Sequence, residues 1–129
     1  MDVVRQEIAE HHEEIWELMA VDEFTLRVAG ISEKRRIELS KRAQGRLLYS
    51  IKPGFSPPIH AAANMEMRIM DYQQNPFSGS MVIVANRIYI MTTKSKGLGI
   101  IIESREVADM LRVLYDIVWN IAKPYQTKK

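Results

Sequence analysis

Over residues 1–19 the apolar side chains Met1, Val4, Ile8, Ile15 and Leu18 recur at heptad-like steps, with His11 in the remaining seam position. This spacing predicts an amphipathic helix whose seam needs cover, from the domain body or from a second chain. Glu7, Glu10, Glu13, Glu14 and Glu17 fall on its other faces and read as solvated surface charges. Residues 24–29 then alternate Phe24, Leu26 and Val28 with Thr25, Arg27 and Ala29 before Gly30, the pattern of a short strand. Ser32 is placed to cap a helix running to Gln44, with Gly45 as its C-terminal stop, and residues 47–51 predict the next strand, ended by Pro53-Gly54. Strand, helix and strand in that order predict an N-terminal βαβ unit with a right-handed parallel crossover.

Three of the five prolines fall within residues 53–58, which predicts an irregular loop, followed by a short helix over 58–64. Met65, Met67 and Ile69 share one face of a further strand, with Glu66, Arg68 and Met70 on the other. Residues 81–85 and 88–92 flank Asn86-Arg87 as a hairpin, and 97–102 supply another strand, so the second half predicts an antiparallel meander. The clearest helix is the last. Ser104 caps it, Pro124 follows it, and Val107, Leu111, Leu114, Val118 and Ile121, widened by Met110, Tyr115 and Ile117, predict a broad face packed on the sheet and on a second subunit. The fold class expected is therefore α/β: a mixed sheet, an N-terminal βαβ unit, a C-terminal meander and a packed C-terminal helix.

Composition narrows the class. A chain of 129 residues, 47% hydrophobic and 26% charged, fits one globular domain. The expected division is a connecting helix over 1–20, an α/β body over 21–125 and a polar tail over 126–129. There is no cysteine, which excludes a disulfide framework and thiolate metal sites, and no basic-then-apolar leader opens the sequence. The longest apolar runs, 81–85 and 100–102, fall far short of the ~20 residues that span a bilayer. A cytoplasmic protein without a membrane partner is the expectation. The net charge of +2 does not by itself select a partner.

Candidate chemistry is sparse. His11, His12 and His60 form no HExxH helix, and no serine sits in a nucleophile elbow, so zinc-hydrolase and triad chemistry lack a signature and neither metal nor cofactor is expected. Gly97-Leu98-Gly99 precedes a strand rather than opening a helix, unlike a phosphate loop. The segment 32–46 carries Lys34, Arg35, Arg36, Lys41, Arg42 and Arg46 against Glu33 and Glu38. It reads either as a solvated crossover helix, with Glu38 bridging Lys34 and Arg42, or as a phosphate-contacting element.

Several stretches together carry a family resemblance. They are residues 24–51; the strand Met65-Glu-Met-Arg-Ile-Met-Asp71; Val82-Ile-Val-Ala-Asn-Arg-Ile-Tyr-Ile90; Gly99-Ile-Ile-Ile-Glu103; and the closing Leu114-Tyr-Asp-Ile-Val-Trp-Asn-Ile-Ala122, with Tyr115 and Trp119 as an aromatic pair. Their order resembles the effector-sensing domain of archaeal TrmB-like transcriptional regulators, whose core is a phospholipase D-like fold. The resemblance implies a non-enzymatic regulatory sensor with a small-molecule effector, often a sugar. It also implies a homodimer through the leading helix, with Val4, Ile8, His11, Ile15 and Leu18 at the seam. DNA would be reached only through a separate winged-helix domain, which residues 1–129 do not supply. The phospholipase D signature of His and Lys one residue apart is missing, since Ala61 and Ala62 follow His60 and Glu13 and Glu14 follow His12, so no such enzyme is expected. The alternatives are a degenerate phosphodiesterase-like enzyme and a nucleic-acid-binding module using the basic helix over 32–44. A pocket in an open α/β sheet belongs outside the carboxyl ends of the parallel strands, which points to Gly30, Ile31, Lys52 and the loop through His60. Tyr49, Arg68 and Asp71 are the polar candidates beside it, each of which also reads as a surface or core-edge residue.

Overall fold

Ile15, Met19 and Val21 lie on one side of an extended segment, while Trp16 and Leu18 pack on the other. Residues Glu14–Val21 therefore form a strand, β1, where the apolar spacing predicts a helix. The computed structural model describes residues 14–24, 44–56, 65–74, 76–92, 94 and 97–124. Val4, Ile8 and His11 of the expected seam lie outside the described residues, and Ile15 and Leu18 cannot share a seam, because side chains three apart point to opposite faces of a strand. Glu17, expected on a solvated helix surface, is 1% exposed.

The remaining elements are β2 (Gln44–Ile51), β3 (Met65–Met70), β4 (Ser80–Val84), β5 (Arg87–Thr92), β6 (Leu98–Glu103), a helix α1 (Arg105–Ile121) and a short β7 (Lys123–Pro124). They build one seven-stranded mixed sheet in the order β6-β5-β4-β1-β2-β3-β7. Strands β1, β2 and β3 run parallel, and every other pairing is antiparallel. The mixed sheet and the C-terminal meander agree with the sequence pattern. The expected βαβ unit does not start where predicted: the strand parallel to β2 is β1, and Phe24, the first residue of the predicted strand, is helical with Glu23. The rest of that predicted strand and the basic segment 32–43 lie outside the described residues, as do Gly30, Ile31 and the predicted helix over 58–64.

Gly45 is a strand residue and not a helix stop. In the register Ile15↔Gly45↔Met65 it has φ 141°, and a Cβ there would stand 1.9 Å from the Ile15 carbonyl oxygen. Only glycine tolerates that approach. The β4–β5 turn is Ala85-Asn86, one residue earlier than predicted, with Val84 paired to Arg87 and Ala85 at φ 49°.

Both faces of the central strands are buried. One carries Ile15, Met19, Val21, Leu47, Tyr49, Met67, Val82, Val84 and Tyr89, with Phe55 packed against them. The other is covered by α1, which inserts Tyr115 and Trp119 over Leu48 and Ala108 over Ile83 and Ile88. The helix begins as predicted, with Ser104 Oγ accepting from the Val107 amide at 3.2 Å. Its buried face is rotated from the predicted one: Ala108, Tyr115 and Trp119 are buried, while Leu114 and Ile121 are exposed.

Two positive-φ positions, Gly45 and Ala85, give opposite expectations. Gly45→Ala should destabilise by at least about 3 kcal/mol, because backbone of a central strand must move. Ala85→Gly relieves a left-handed alanine on the surface and should be neutral or stabilising by up to about 1 kcal/mol. Urea denaturation of the two variants beside the parent checks both signs.

Candidate functional site

The carboxyl ends of β1 and β2 are tied together by backbone: the Lys52 amide donates to the Val21 carbonyl at 3.0 Å, and the Phe55 amide to the Lys52 carbonyl at 3.1 Å. A third segment joins them where the Ala20 amide donates to the Gly79 carbonyl at 3.0 Å, which brings residues 76–79 alongside the end of β1. A cavity of about 430 Å³ opens there, lined by Asp22, Phe24, Lys52, Tyr72, Pro76, Phe77, Ser78 and Lys94. This is where an α/β sheet presents a ligand site, at the strand ends where side chains from several loops converge.

Two polar pairs involve the cavity's lining residues. Asp22, 2% exposed, accepts from the Ser78 hydroxyl at 2.6 Å. Lys52 Nζ donates to both oxygens of Glu23, at 3.0 and 3.2 Å. A hydrogen bond to its own backbone amide, then the Lys52 ammonium, holds the Glu23 carboxyl below its ordinary range, and the Glu23 carboxylate raises Lys52 against the opposing effect of partial burial. Both side chains are 39% exposed, so solvent and salt screen the pair. Phe24, Tyr72 and Phe77 give the walls flat apolar faces on which a ring could stack.

Of the residues singled out from sequence, Lys52 alone lines this cavity. His60 lies outside the described residues. Tyr49 is fully buried in the core, its hydroxyl donating to Glu17 Oε1 at 3.3 Å. Arg68 points to the helix-bearing face, with its guanidinium 4.6 Å from the Trp119 ring centroid and Nη1 donating to the Trp119 carbonyl at 2.7 Å. Asp71 is exposed, accepts from the Gln73 amide at 3.0 Å, and borders a different groove of about 680 Å³ along the end of α1, with Ile69, Met70, Val118 and Ile121. Asp22, Tyr72, Phe77, Ser78 and Lys94 carried no motif; the signal available for Asp22-Glu23 was an acidic pair following an apolar run.

A second polar assembly, on the helix-bearing face, is structural. Arg46 lies 4.4 Å from the Trp16 centroid and 5.2 Å from that of Trp119, and its Nη1 meets Asp116 Oδ1 at 2.7 Å. Tyr115 donates to the Glu17 carbonyl at 2.8 Å and to the Arg46 carbonyl at 3.2 Å. Burial, and then the Glu17 carboxylate, push the Tyr115 phenol up, partly opposed by Arg46, so it stays a neutral donor throughout the working pH range. Among the described residues no cluster of three or more His, Asp or Glu side chains could hold a metal ion, and no helix is long and apolar enough to cross a membrane.

No family model matches the sequence, and no curated protein matches it. Solved structures that share the fold include the following two. One is TrmBL2, an archaeal chromatin protein described as showing a novel mode of DNA binding, with TM-score 0.62 and 17% identity over 95% of this chain. This chain spans only 49% of TrmBL2. The other is Nuc from Salmonella typhimurium, a phospholipase D family member, with TM-score 0.61 and 13% identity over 97% of this chain and 90% of that one. At such identities the likeness shows the fold alone, one that this chain shares with a phospholipase D family member and with TrmBL2.

The charge pair at the cavity mouth gives a signed pH dependence. Its stabilisation is complete near neutrality, declines as pH falls through the depressed Glu23 value, and declines again as pH rises through the raised Lys52 value. Glu23→Gln and Lys52→Met should each melt below the parent at pH 7. Their deficit should shrink below the ordinary carboxylate range and in high salt. Thermal melts from pH 3 to pH 7 at two ionic strengths check this, and a deficit that grows on acidification would contradict it.

Proposed function

We propose that this chain is a non-enzymatic regulatory domain of the TrmB-like kind, which binds a small polar effector in the cavity at the carboxyl ends of β1 and β2. It would reach DNA only through a separate winged-helix domain. The observation that carries the reading is the arrangement of the cavity's polar groups. Ser78 donates its hydroxyl hydrogen to Asp22, and Lys52 is held by Glu23. The serine hydroxyl is spent directly on a carboxylate, with no imidazole between the two, so this geometry favours holding a ligand over attacking one. Aromatic walls with hydrogen-bonding groups at the rim suit a sugar, which offers an apolar ring face and a fringe of hydroxyls. The fold shared with a chromatin protein adds to this reading, and that shared with a phospholipase D family member defines the competing one.

The reading is tested by thermal shift and calorimetry with a panel of mono- and disaccharides, glucose and sucrose among them. A saccharide at about a hundred times its Kd should stabilise the parent by about 2.7 kcal/mol. Tyr72→Ala and Lys52→Met should remove that shift while retaining the fold by circular dichroism. Hydrolysis of bis(4-nitrophenyl) phosphate that disappears in Ser78→Ala would replace the sensor reading with the phosphodiesterase-like one. Absence of a shift with every saccharide would reject a sugar effector.

A further inference from the structure

Helix α1 is apolar on two opposite faces, and the sheet covers only one. Ala108, Tyr115 and Trp119 face the sheet. Met110, Val113, Leu114, Ile117 and Ile121 are exposed by 66%, 62%, 58%, 54% and 78%. At 3.6 residues per turn these five fall within an arc of roughly 100° on the far side of the helix from the sheet. Scattered exposed hydrophobics need no explanation, but a continuous stripe along a whole helix marks an interaction surface.

We propose that this outer face is a homodimer interface, in which α1 packs antiparallel against α1 of a second copy of the same chain about a two-fold axis. The inference is independent of the effector reading. Three observations select a second copy over other occupants.

The first is the spacing. Met110, Leu114, Ile117 and Ile121 are separated by four, three and four residues, which is a coiled-coil seam that reads the same in both directions. Across a two-fold axis Met110 meets the partner's Ile121 and Leu114 meets the partner's Ile117, so every seam residue finds an apolar counterpart, as a self-complementary interface requires.

The second observation is charge. The positions flanking the seam, Leu111, Val113, Val118 and Asn120, are uncharged. The charged residues on the side of the helix are engaged within the protomer, Arg112 with Asp109 at 3.6 Å and Asp116 with Arg46 at 2.7 Å. At the two ends the antiparallel arrangement brings Glu106 of one copy towards Lys123 of the other and opposes the helix dipoles. A parallel pairing would instead stack like charges. A membrane-seeking face would carry a rim of lysines and arginines, which these flanks lack.

The third is continuity. Val107 and Leu111, on one flank of the stripe, pack against the same buried cluster of Ile83, Ile88 and Ala108 as Ile90 and Ile102 do. On that same face of the sheet, by strand alternation with Ile102, edge strand β6 presents Leu98 and Ile100, exposed by 54% and 39%. They extend the apolar surface beyond the helix, towards the ~800 Å² per partner of a stable interface.

Light scattering on the full 129-residue chain should give twice its 14.9 kDa mass. Leu114→Glu and Ile117→Lys, both at exposed positions, should each give folded monomers by scattering and circular dichroism. Mixed in equal amounts the two variants should recover the dimer, because only the antiparallel register sets Glu at 114 against Lys at 117 of the other chain. Ile101→Lys, on the opposite face of the sheet, should leave the parent mass unchanged. A parent that is monomeric at about 100 µM, a concentration at which even weak specific pairs populate, would overturn the proposal, and co-flotation of that monomer with phosphatidylcholine–phosphatidylserine vesicles would assign the face to a membrane. Single variants that stay dimeric, or a mixture that stays monomeric, would overturn the interface or its antiparallel register.

Discussion

A strand buried on both faces has no side on which to hide a mistake, and β1 is such a strand at the middle of this sheet. It pairs with β4 on one side and with β2 on the other. Its odd positions fill one core and Trp16 and Leu18 line the other. Burial forces an unusual accommodation: Glu17 sits in the core at 1% exposure, where Tyr49 donates to its carboxylate. On the opposite face Tyr115 reaches the backbone carbonyls of Glu17 and Arg46, in neighbouring parallel strands. The helix is thus fastened to the same residue whose side chain organises the other core. The register that makes this fit depends on Gly45, where β2 approaches β1 too closely for a side chain.

That central strand is also where sequence reading failed, for a physical reason. A half-buried strand alternates and a surface helix has a stripe; a strand buried on both faces shows neither pattern. In residues 14–21 the apolar positions Ile15 and Leu18 mimic helical spacing, and the charges at Glu14 and Glu17 suggest a wet face. Strands β3 to β6 were legible because turn residues bound them, whereas β2 was legible only from Leu47, because Gly45 within it reads as a helix stop; the error in the hairpin was a single residue, since Ala85 rather than Asn86 takes the left-handed conformation. The last helix was legible in extent through Ser104 but not in orientation. Apolar residues cover more than half of its circumference, so periodicity could not say which part faced inward, and the hydrogen bonds of Tyr115 settle it.

The site inherited the same error. The rule that ligands gather at the carboxyl ends of parallel strands points to Lys52, which lines the cavity there. With β1 mistaken for a helix, Asp22 and Glu23 had no strand end to follow, and the loop at 76–79 had no reason to be near. Tyr49 was drawn towards the site by its nearness in sequence to Lys52, yet strand alternation turns it into the core. Arg68 and Asp71 lie only three residues apart, but one serves the helix and the other borders a separate groove.

A shared fold leaves function to be argued from the site, since one scaffold serves unrelated chemistries. The disposition of arginine is informative in that respect. Arg46 lies beside two tryptophan rings and holds Asp116, Arg68 holds the carbonyl at the end of α1, and Arg112 holds Asp109 and the Ala85 carbonyl. Each guanidinium fastens α1 to the sheet or steadies its surface, so each has a structural use that phosphate binding would have to disrupt. Aromatic contact lowers the cost of keeping these groups partly buried, and the planar fork supplies the directional bonds that a lysine could not. The basic groups at the cavity, Lys52 and Lys94, are lysines instead, and Lys52 has a carboxylate partner that can be exchanged without loosening either core. Rigid arginine joints on one face and a replaceable lysine pair at the strand ends are what a domain needs if a small ligand is to bind without the cost of opening its fold.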